Sequence, residues 1–268
     1  MIKNIIIIGA MKCGTTSLYD YLIKHPEICP CVIKEPEYFS ISMGHKKFKK
    51  GQYLELFNID QVSHKFTLDA STGYTKFPTE NGVPRRIKEY GLSPKFIYVI
   101  RNPYERIRSH YNFMRKDLSW EAKIDSPHLI NVSKYYTQLQ EFRKYFPLEN
   151  FFIVDFDDLK NKPNKVCKDI FRFISASNFN PEITYEVKNK TKGVNRNFLK
   201  LKRYLSPFVT MTPSYFKDYV KTLVADLFPQ PDQVQLTEEQ KEKIYELLKE
   251  DMVSLNLTYN IDVSKWGF

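Results

Sequence analysis

The fold of this chain is decided by residues 5–18, which read IIIIGAMKCGTTSL. Four consecutive isoleucines predict a buried strand, because β-branched side chains fit a pleated and covered surface. A turn bounded by Gly9 and Gly14 follows, and the amphipathic residues 19–24 predict a helix after it. First-turn N–H groups and the helix dipole together form an anion site. The segment therefore predicts an α/β fold with an anionic ligand.

The polar residues of this turn narrow the ligand class. Lys12 adds a full positive charge, and Thr15 and Thr16 add hydroxyl donors. The loop that binds nucleoside triphosphates reads G-x-x-x-x-G-K-[ST], with a lysine directly after the second glycine. Thr15 stands at that position here, and the single lysine of the turn comes before Gly14. A magnesium-dependent nucleotide kinase is therefore an alternative that lacks its lysine.

A second phosphate motif follows another strand-like run. Residues 101–111 read RNPYERIRSHY, and Pro103 suits the first turn of a helix. Arg101 stands at the carboxyl end of the predicted strand, where open α/β sheets bind ligands. Ser109 comes two helical turns after the start of the helix and on the same face. An arginine with a serine hydroxyl predicts a clamp for a phosphate monoester.

Two shorter motifs carry further charge. Residues 34–39 read KEPEYF, and residues 189–193 read NKTKG. A positioned carboxylate such as Glu35 can accept a proton from a reacting hydroxyl, and Glu37 is the nearby competitor for that role. The two lysines before Gly193 can wrap an anion.

In chain order these motifs resemble those of sulfotransferases that use 3′-phosphoadenosine 5′-phosphosulfate (PAPS). They are most similar to the glycosaminoglycan-type, heparan sulfate-like branch that sulfates carbohydrates. Residues 9–17 resemble its 5′-phosphosulfate loop, residues 101–111 its 3′-phosphate motif, residues 34–39 its K-E-P-x-[FY]-F stretch and residues 189–193 its closing loop. The resemblance implies a P-loop-like three-layer α/β fold, with a central parallel sheet flanked by helices, in one domain over residues 1–268.

The resemblance also implies a role for each motif. The reaction is in-line sulfuryl transfer to a hydroxyl or amine, with Glu35 as general base, Lys12 stabilising the bridging oxygen, and 3′-phosphoadenosine 5′-phosphate (PAP) as product. The implied cofactor-binding residues are Lys12, Cys13, Gly14, Thr15, Thr16, Ser17, Arg101, Ser109, Lys190, Lys192, Gly193 and Val194. The implied acceptor-binding residues are Lys34, Phe39, Ser71 and Tyr74. No metal is required, since lysines and helix-end N–H groups can stabilise the transferring group.

One segment departs from the family pattern. Glycosaminoglycan-type relatives carry roughly E-K-[ST]-P-x-Y-F, whereas residues 69–75 read DASTGYT. Ala70 occupies the place of a lysine that helps to position the acceptor. The acceptor therefore stays open between a small molecule and an oligo- or polysaccharide, including an acidic one.

The histidines offer an alternative base, because the small-molecule sulfotransferases use a histidine. His25 ends the first predicted helix and His110 lies inside the second phosphate motif, so neither is placed for that task. His45, His64 and His128 have no supporting motif.

Composition agrees with an enzyme that handles anions. The formal net charge is +10, which a polysaccharide-binding module without catalysis would also explain, although such a module leaves the phosphate motifs unused. The sequence shows no nucleic-acid-binding motif, no run of about 20 apolar residues for a membrane span and no signal peptide. It predicts a soluble, cytoplasmic enzyme of bacterial type with free thiols and leaves the oligomeric state open.

The rest of the chain alternates strands and helices. Strands are predicted over 66–69 and 151–156, and helices over 83–90, 102–116, 133–146 and 164–174. Asp157 and Asp158 are predicted to cap a short helical turn, and Thr237 with Gln240 predicts a capping box. The helix after that box is predicted to bury Ile244, Leu247, Leu248 and Met252.

Overall fold

A single parallel sheet forms the centre of the protein. The computed structural model describes residues 2–42, 52–120, 122–180, 182–184 and 233–268, with the isolated positions 200 and 204. Within these residues the sheet has five strands in the order β2-β3-β1-β4-β5. They are β1 (Lys3–Gly9), β2 (Ile28–Pro30), β3 (Phe66–Ala70), β4 (Lys95–Ile100) and β5 (Phe151–Asp155). All neighbours are parallel, so the carboxyl ends of the strands meet at one edge.

Helices connect and flank these strands, which confirms the predicted α/β class. They are α1 (Thr15–Leu22), α2 (Val83–Glu89), α3 (Pro103–Met114), α4 (Pro127–Asn131), α5 (Tyr135–Arg143), α6 (Phe156–Asn161), α7 (Pro163–Ile174) and α8 (Glu238–Tyr259). The helices predicted over 102–116 and 133–146 begin later and end earlier than expected, as helix termini commonly do.

Strand β1 lies in the middle of the sheet. It pairs with β3 on one side and β4 on the other, and Ile5, Ile6, Ile7 and Ile8 are essentially inaccessible. A strand covered on both faces has no need for alternating polar residues, which explains the unbroken apolar run. Each isoleucine contributes about 1.5–3 kcal/mol by leaving water, so this strand anchors the turn that follows it.

The C-terminal helix α8 packs against α5 and caps its start. The predicted capping box is confirmed, with Gln240 N–H donating to Thr237 Oγ1 at 3.2 Å and Thr237 N–H donating to Gln240 Oε1 at 3.0 Å. Farther along α8, the buried Asp251 carboxylate accepts hydrogen bonds from the N–H groups of Tyr136 and Thr137.

No helix within the described residues is both long and apolar enough to cross a bilayer.

Three predictions of local structure were wrong. Leu247 is exposed, since only one side of α8 faces α5. The cap of α6 is Asp155, which accepts from Asp157 N–H at 2.7 Å, so Asp157 and Asp158 lie inside the helix. Strand β2 was missed because it has only three residues and ends at Pro30, too short for a periodic pattern.

A buried carboxyl group ends β3. Asp69 is fully inaccessible, and its carboxylate accepts hydrogen bonds from Ser71 Oγ at 2.7 Å, Tyr74 OH at 3.1 Å and Tyr53 OH at 3.3 Å. Burial raises the pKa of Asp69 to about 7, although the three hydroxyl donors limit the rise. The folded protein therefore binds this proton more tightly than the unfolded chain does.

Stability should fall with rising pH because of Asp69. Below the unfolded pKa of about 4 the carboxyl is protonated in both states, and between pH 4 and about 7 only the unfolded chain ionises, which favours unfolding. Asp69→Asn mimics the protonated group and removes this loss, on the order of a few kcal/mol at about 1.4 kcal/mol per pKa unit. Urea unfolding of both proteins at a series of pH values tests it. Parallel stability curves would contradict the prediction.

Candidate active site

The turn after β1 presents the start of α1 to the carboxyl edge of the sheet. Leu18 N–H donates to Gly14 O at 3.1 Å, so α1 begins directly after Gly14 and its first-turn amide groups lie at this edge. Gly14 is the N-cap with a φ of 84°. A Cβ at this position would lie 2.8 Å from the Phe156 ring. Glycine is therefore required both by the left-handed backbone and by the close approach of α6.

The second phosphate motif meets this turn directly. Ala10 N–H donates to Val99 O at 2.8 Å, which ties the turn to the end of β4. One residue beyond that strand, Arg101 Nη1 lies 3.4 Å from the carbonyl oxygen of Lys12. The fold thus joins two motifs that are 89 residues apart in the chain. Both present their cationic side chains at one edge of the sheet.

Lys12 carries the charge of the turn in a partly buried position. Its φ is 72°, and its Nζ lies 4.4 Å from the centre of the Phe113 ring. Burial, together with the charges of Lys116 and Arg101, lowers the pKa of Lys12 to about 8. The Glu35 carboxylate opposes this shift. Three cations near one another therefore favour the arrival of an anion.

Arg101 is held in place by a carboxylate and an aromatic ring. Its Nη2 and Nε lie 2.6 Å and 3.1 Å from Glu105 Oε2, and its Cζ lies 4.6 Å from the centre of the Phe156 ring. Tyr135 OH donates to the Arg101 carbonyl at 2.7 Å, which fixes the backbone as well. The guanidinium is thus oriented before any ligand binds, and Glu105 holds the place of an anion on it.

Glu35 lies on the loop after β2 and is half-buried. Its φ is 50°, and its Oε2 lies 3.5 Å from Thr72 Oγ1. The Glu35 charge acts on both Lys12 and Lys76. The fold therefore brings the predicted base near the predicted catalytic lysine.

The structure places the other residues of the predicted phosphate loop around the helix start. Thr15 and Ser17 are buried and Thr16 is half-buried, all in the first turn of α1. Cys13 is fully buried, and burial raises the pKa of its thiol to about 11. Its N–H donates to Ala10 O at 3.1 Å, inside the turn itself. The thiol is thus covered by protein while the Cys13 backbone lies in the turn, and its contact with the cofactor stays a prediction.

The predicted acceptor residues separate into two groups. Lys34 is exposed beside Glu35. Phe39, Ser71 and Tyr74 are all buried, and the two hydroxyls are used internally, Ser71 Oγ and Tyr74 OH both donating to Asp69. The structure therefore places these three side chains beneath the surface, and their contact with an acceptor stays a prediction.

The 3′-phosphate residues are described in part. Ser109 lies half-buried in α3, two turns after its Asn102 cap. Asn102 Oδ1 accepts from Tyr104 N–H at 3.0 Å, which orients the helix start beside Arg101. The predicted closing-loop residues Lys190, Lys192, Gly193 and Val194 lie outside the described residues.

Two residues of the site were missed from the sequence. Lys76 is buried, and its charge interacts with those of Glu37, Glu35 and Glu80. Lys76 lies six residues after Ala70, which stands at the family's lysine position, and this nearby lysine was the signal in the sequence that could have identified it. Glu105 was missed as the partner of Arg101, although its place one helical turn later is typical of an ion pair.

The described histidines are accounted for by other contacts. His110 is buried, and its Nδ1 lies 3.1 Å from Arg106 Nη1, while His25 is buried with its Nε2 3.1 Å from Ser177 O. Burial lowers the pKa of His110 well below its usual range, with Arg106 adding to the effect. His64 accepts from Asp60 N–H, and His128 lies 3.0 Å from Thr79 Oγ1. His45 lies outside the described residues.

Over the residues that the structure describes, no group of three or more His, Cys, Asp and Glu side chains is arranged to hold a metal ion.

This geometry defines an α/β protein with a phosphate-loop-like anion site at the carboxyl edge of a parallel sheet. A family model for the sulfotransferase domain matches residues 3–255. The chain belongs to the sulfotransferase family, as the motifs predicted.

Curated relatives place the resemblance among heparan sulfate enzymes. The chain is 22% identical over 213 residues to bifunctional heparan sulfate N-deacetylase/N-sulfotransferase 3 of Mus musculus, covering 69% of this chain and 24% of that protein. It is 28% identical over 188 residues to heparan sulfate glucosamine 3-O-sulfotransferase 5 of Mus musculus, covering 63% and 52%. The chain thus matches about a quarter of the first relative and about half of the second.

Solved structures confirm the fold class. A sulfotransferase from Alicyclobacillus acidocaldarius superposes with a TM-score of 0.69 over 100% of both chains at 20% identity. The sulfotransferase domain from the curacin biosynthetic pathway superposes with a TM-score of 0.51 over 93% of this chain and 98% of that one, at 17% identity.

Anion binding at this site should weaken above pH 8. In the protein without ligand, Lys12 has a pKa of about 8. Raising the pH from about 7 to about 9 therefore removes most of its positive charge. Calorimetric titration with PAP should show affinity falling across this range. Lys12→Met should bind more weakly at neutral pH and lose this dependence. Equal pH profiles for the two proteins would contradict the prediction.

Proposed function

We propose that this protein transfers a sulfuryl group from PAPS to a hydroxyl or amine of an acceptor, which is a carbohydrate. The observation that carries the proposal is the meeting of Lys12, Arg101 and Glu35 at the carboxyl edge of the sheet. A cationic turn, a guanidinium and a carboxylate are the groups that sulfuryl transfer needs. Membership of the sulfotransferase family supports the reaction class.

The two ends of PAPS would bind to different motifs. The first-turn N–H groups of α1, with Thr15, Thr16 and Ser17, hold the 5′-phosphate. Arg101 and Ser109 would hold the 3′-phosphate. Lys190, Lys192, Gly193 and Val194, which lie outside the described residues, are assigned to the same phosphate by the family motif alone. A phosphate monoester on Arg101 competes with Glu105, whose carboxylate now occupies two of the guanidinium nitrogens. This arrangement fits a bis-phosphorylated nucleotide better than a simple anion.

The chemistry requires one proton acceptor and one cation. An acceptor oxygen or nitrogen attacks sulfur as the bond from sulfur to the bridging phosphate oxygen breaks, and that oxygen keeps the electron pair. Glu35 takes the proton of the attacking group. Lys12 stabilises the charge that develops on the leaving oxygen. Atoms and charge balance without a redox partner.

The acceptor class is proposed from two observations. The curated relatives are heparan sulfate sulfotransferases by name, which favours a carbohydrate. Lys34 is exposed beside Glu35 and offers a charge to an acidic acceptor. Ala70, which stands at the family's lysine position, leaves the identity of that carbohydrate open.

Cofactor selectivity provides a first test. PAP should bind at least about tenfold more tightly than AMP, because charge-assisted hydrogen bonds from Arg101 contribute about 1.5–3 kcal/mol each to the 3′-phosphate. Arg101→Ala should reduce this preference and leave AMP binding unchanged. Calorimetry with both nucleotides measures the two affinities. Equal affinity of the wild-type protein for PAP and AMP would overturn the assignment.

Substitutions in the reacting groups separate chemistry from binding. Glu35→Gln should lower turnover by about 10²–10⁴, the usual loss for a general base, while PAP binds normally. The acidic limb of its pH–rate profile should disappear. Lys12→Ala should also lose most turnover, because it removes transition-state stabilisation.

The measurement is transfer of labelled sulfate from PAPS to a panel of carbohydrate acceptors. Glu89→Gln and Lys144→Ala, both on exposed side chains, are matched controls that should keep full activity. Wild-type turnover in Glu35→Gln would show that Glu35 is not the general base and that another group accepts the proton. Absence of PAPS binding with retained polysaccharide binding would instead favour a non-catalytic module.

A further inference from the structure

The loop that carries Glu35 has an unusual backbone. Glu35 and Glu37 both have a φ of 50°, in the left-handed region that non-glycine residues rarely adopt. Such a conformation is unfavourable for a residue with a side chain and persists only where surrounding contacts determine it. Two of them flanking Pro36 mean that this segment is held in shape from outside.

Glu37 makes three of the hydrogen bonds that hold the loop. Its Oε1 accepts from Gly73 N–H at 2.7 Å, and its Oε2 accepts from Ser40 Oγ at 2.8 Å. Its own N–H donates to Ser71 Oγ at 3.0 Å. The side chain is buried, with both oxygens used inside the protein. Buried Lys76 supplies the opposing charge, so the carboxylate is not left alone in the interior.

The opposite side of this contact is fitted to Glu37. Gly73 lies in the 3-10 turn Thr72–Thr75 that follows β3. A Cβ at Gly73 would lie 2.7 Å from Glu37 Cδ and 2.8 Å from its Oε1. Position 73 therefore has no room for a side chain while Glu37 holds its place.

The same turn also touches Glu35. Thr72 Oγ1 lies 3.5 Å from Glu35 Oε2, and Thr72 is the residue before Gly73. Ser71, one residue earlier, donates to Asp69 Oδ1 at 2.7 Å and so anchors the turn to the end of β3. Glu37 thus connects the loop of Glu35 to a turn whose position is set by the buried sheet.

We propose that Glu37 is a positioning residue that sets the place of Glu35 through its contact with Gly73. The inference rests on the proposed function, in which Glu35 is the general base. Glu37 neither touches the acceptor nor takes its proton. When the contact is broken, the loop relaxes and the Glu35 carboxylate moves, and a displacement of about 1 Å at a reacting group can cost about 10²-fold in rate.

Three variants test this without altering Glu35. Glu37→Ala removes the contact, and Gly73→Ala displaces the carboxylate with one methyl group. Both should lower kcat about 10–10²-fold with unchanged PAP affinity, and both should keep the acidic limb of the pH–rate profile because Glu35 remains. Glu37→Gln keeps the shape and an oxygen for Gly73 N–H, so it should restore most of the rate. Ser63→Ala, on an exposed residue whose hydroxyl donates to Asp60 and does not contact this loop, is the control that should keep wild-type kcat.

The double variant Gly73→Ala/Glu37→Ala sharpens the test. Since both changes act through one contact, their effects on kcat should not add, whereas independent sites add. Thermal unfolding of each variant checks that it is folded. If Glu37→Ala does not fold, the two single variants Glu37→Gln and Gly73→Ala are compared with each other instead.

Each outcome has one meaning. Wild-type kcat in folded Glu37→Ala and Gly73→Ala would overturn the positioning role and leave the proposed function standing. Loss of the acidic limb in Glu37→Gln would also overturn it, because Glu37 would then be the base. Wild-type turnover in Glu35→Gln would instead show that Glu35 is not the general base, which contradicts the mechanism in the proposed function.

Discussion

The hydrogen bond from Ala10 N–H to Val99 O sets the geometry of the candidate site. It ties the turn after β1 to the end of β4, so Lys12 and Arg101 meet at one edge of the sheet. The bond is available because both strands are parallel and centrally buried. Gly14 then lets α1 begin beside α6 without a steric clash. An anion site follows from this backbone arrangement before any side chain is considered.

Charge at this edge is concentrated and only partly balanced. Lys12 is partly desolvated beside Arg101 and Lys116, which holds its pKa near 8. A bound phosphate would relieve the repulsion among these cations, and this relief would contribute to the free energy of binding. Glu105 now satisfies Arg101 from an exposed position, where an ion pair is worth about 0–1 kcal/mol and is easily exchanged.

The carboxylates show how environment separates similar groups. Glu37 and Asp69 are buried, and each accepts hydrogen bonds at both oxygens, which suits a supporting role. Glu35 stays half-buried, with Thr72 as its close polar neighbour. Two glutamates only two positions apart thus differ in access, because Pro36 lies between two left-handed residues. That difference supports Glu35 as the group able to meet an acceptor.

The sequence by itself determined the class of fold and the cationic ends of the site. Unbroken apolar runs predict buried parallel strands, and Lys12 and Arg101 follow directly from their positions at strand ends, where local chain chemistry is enough. Tertiary structure alone decided that Ser71 and Tyr74 donate to Asp69 inside the core, and that Lys76 is buried near the charges of Glu35 and Glu37. These outcomes depend on which distant segment covers a residue, and no local pattern contains that information.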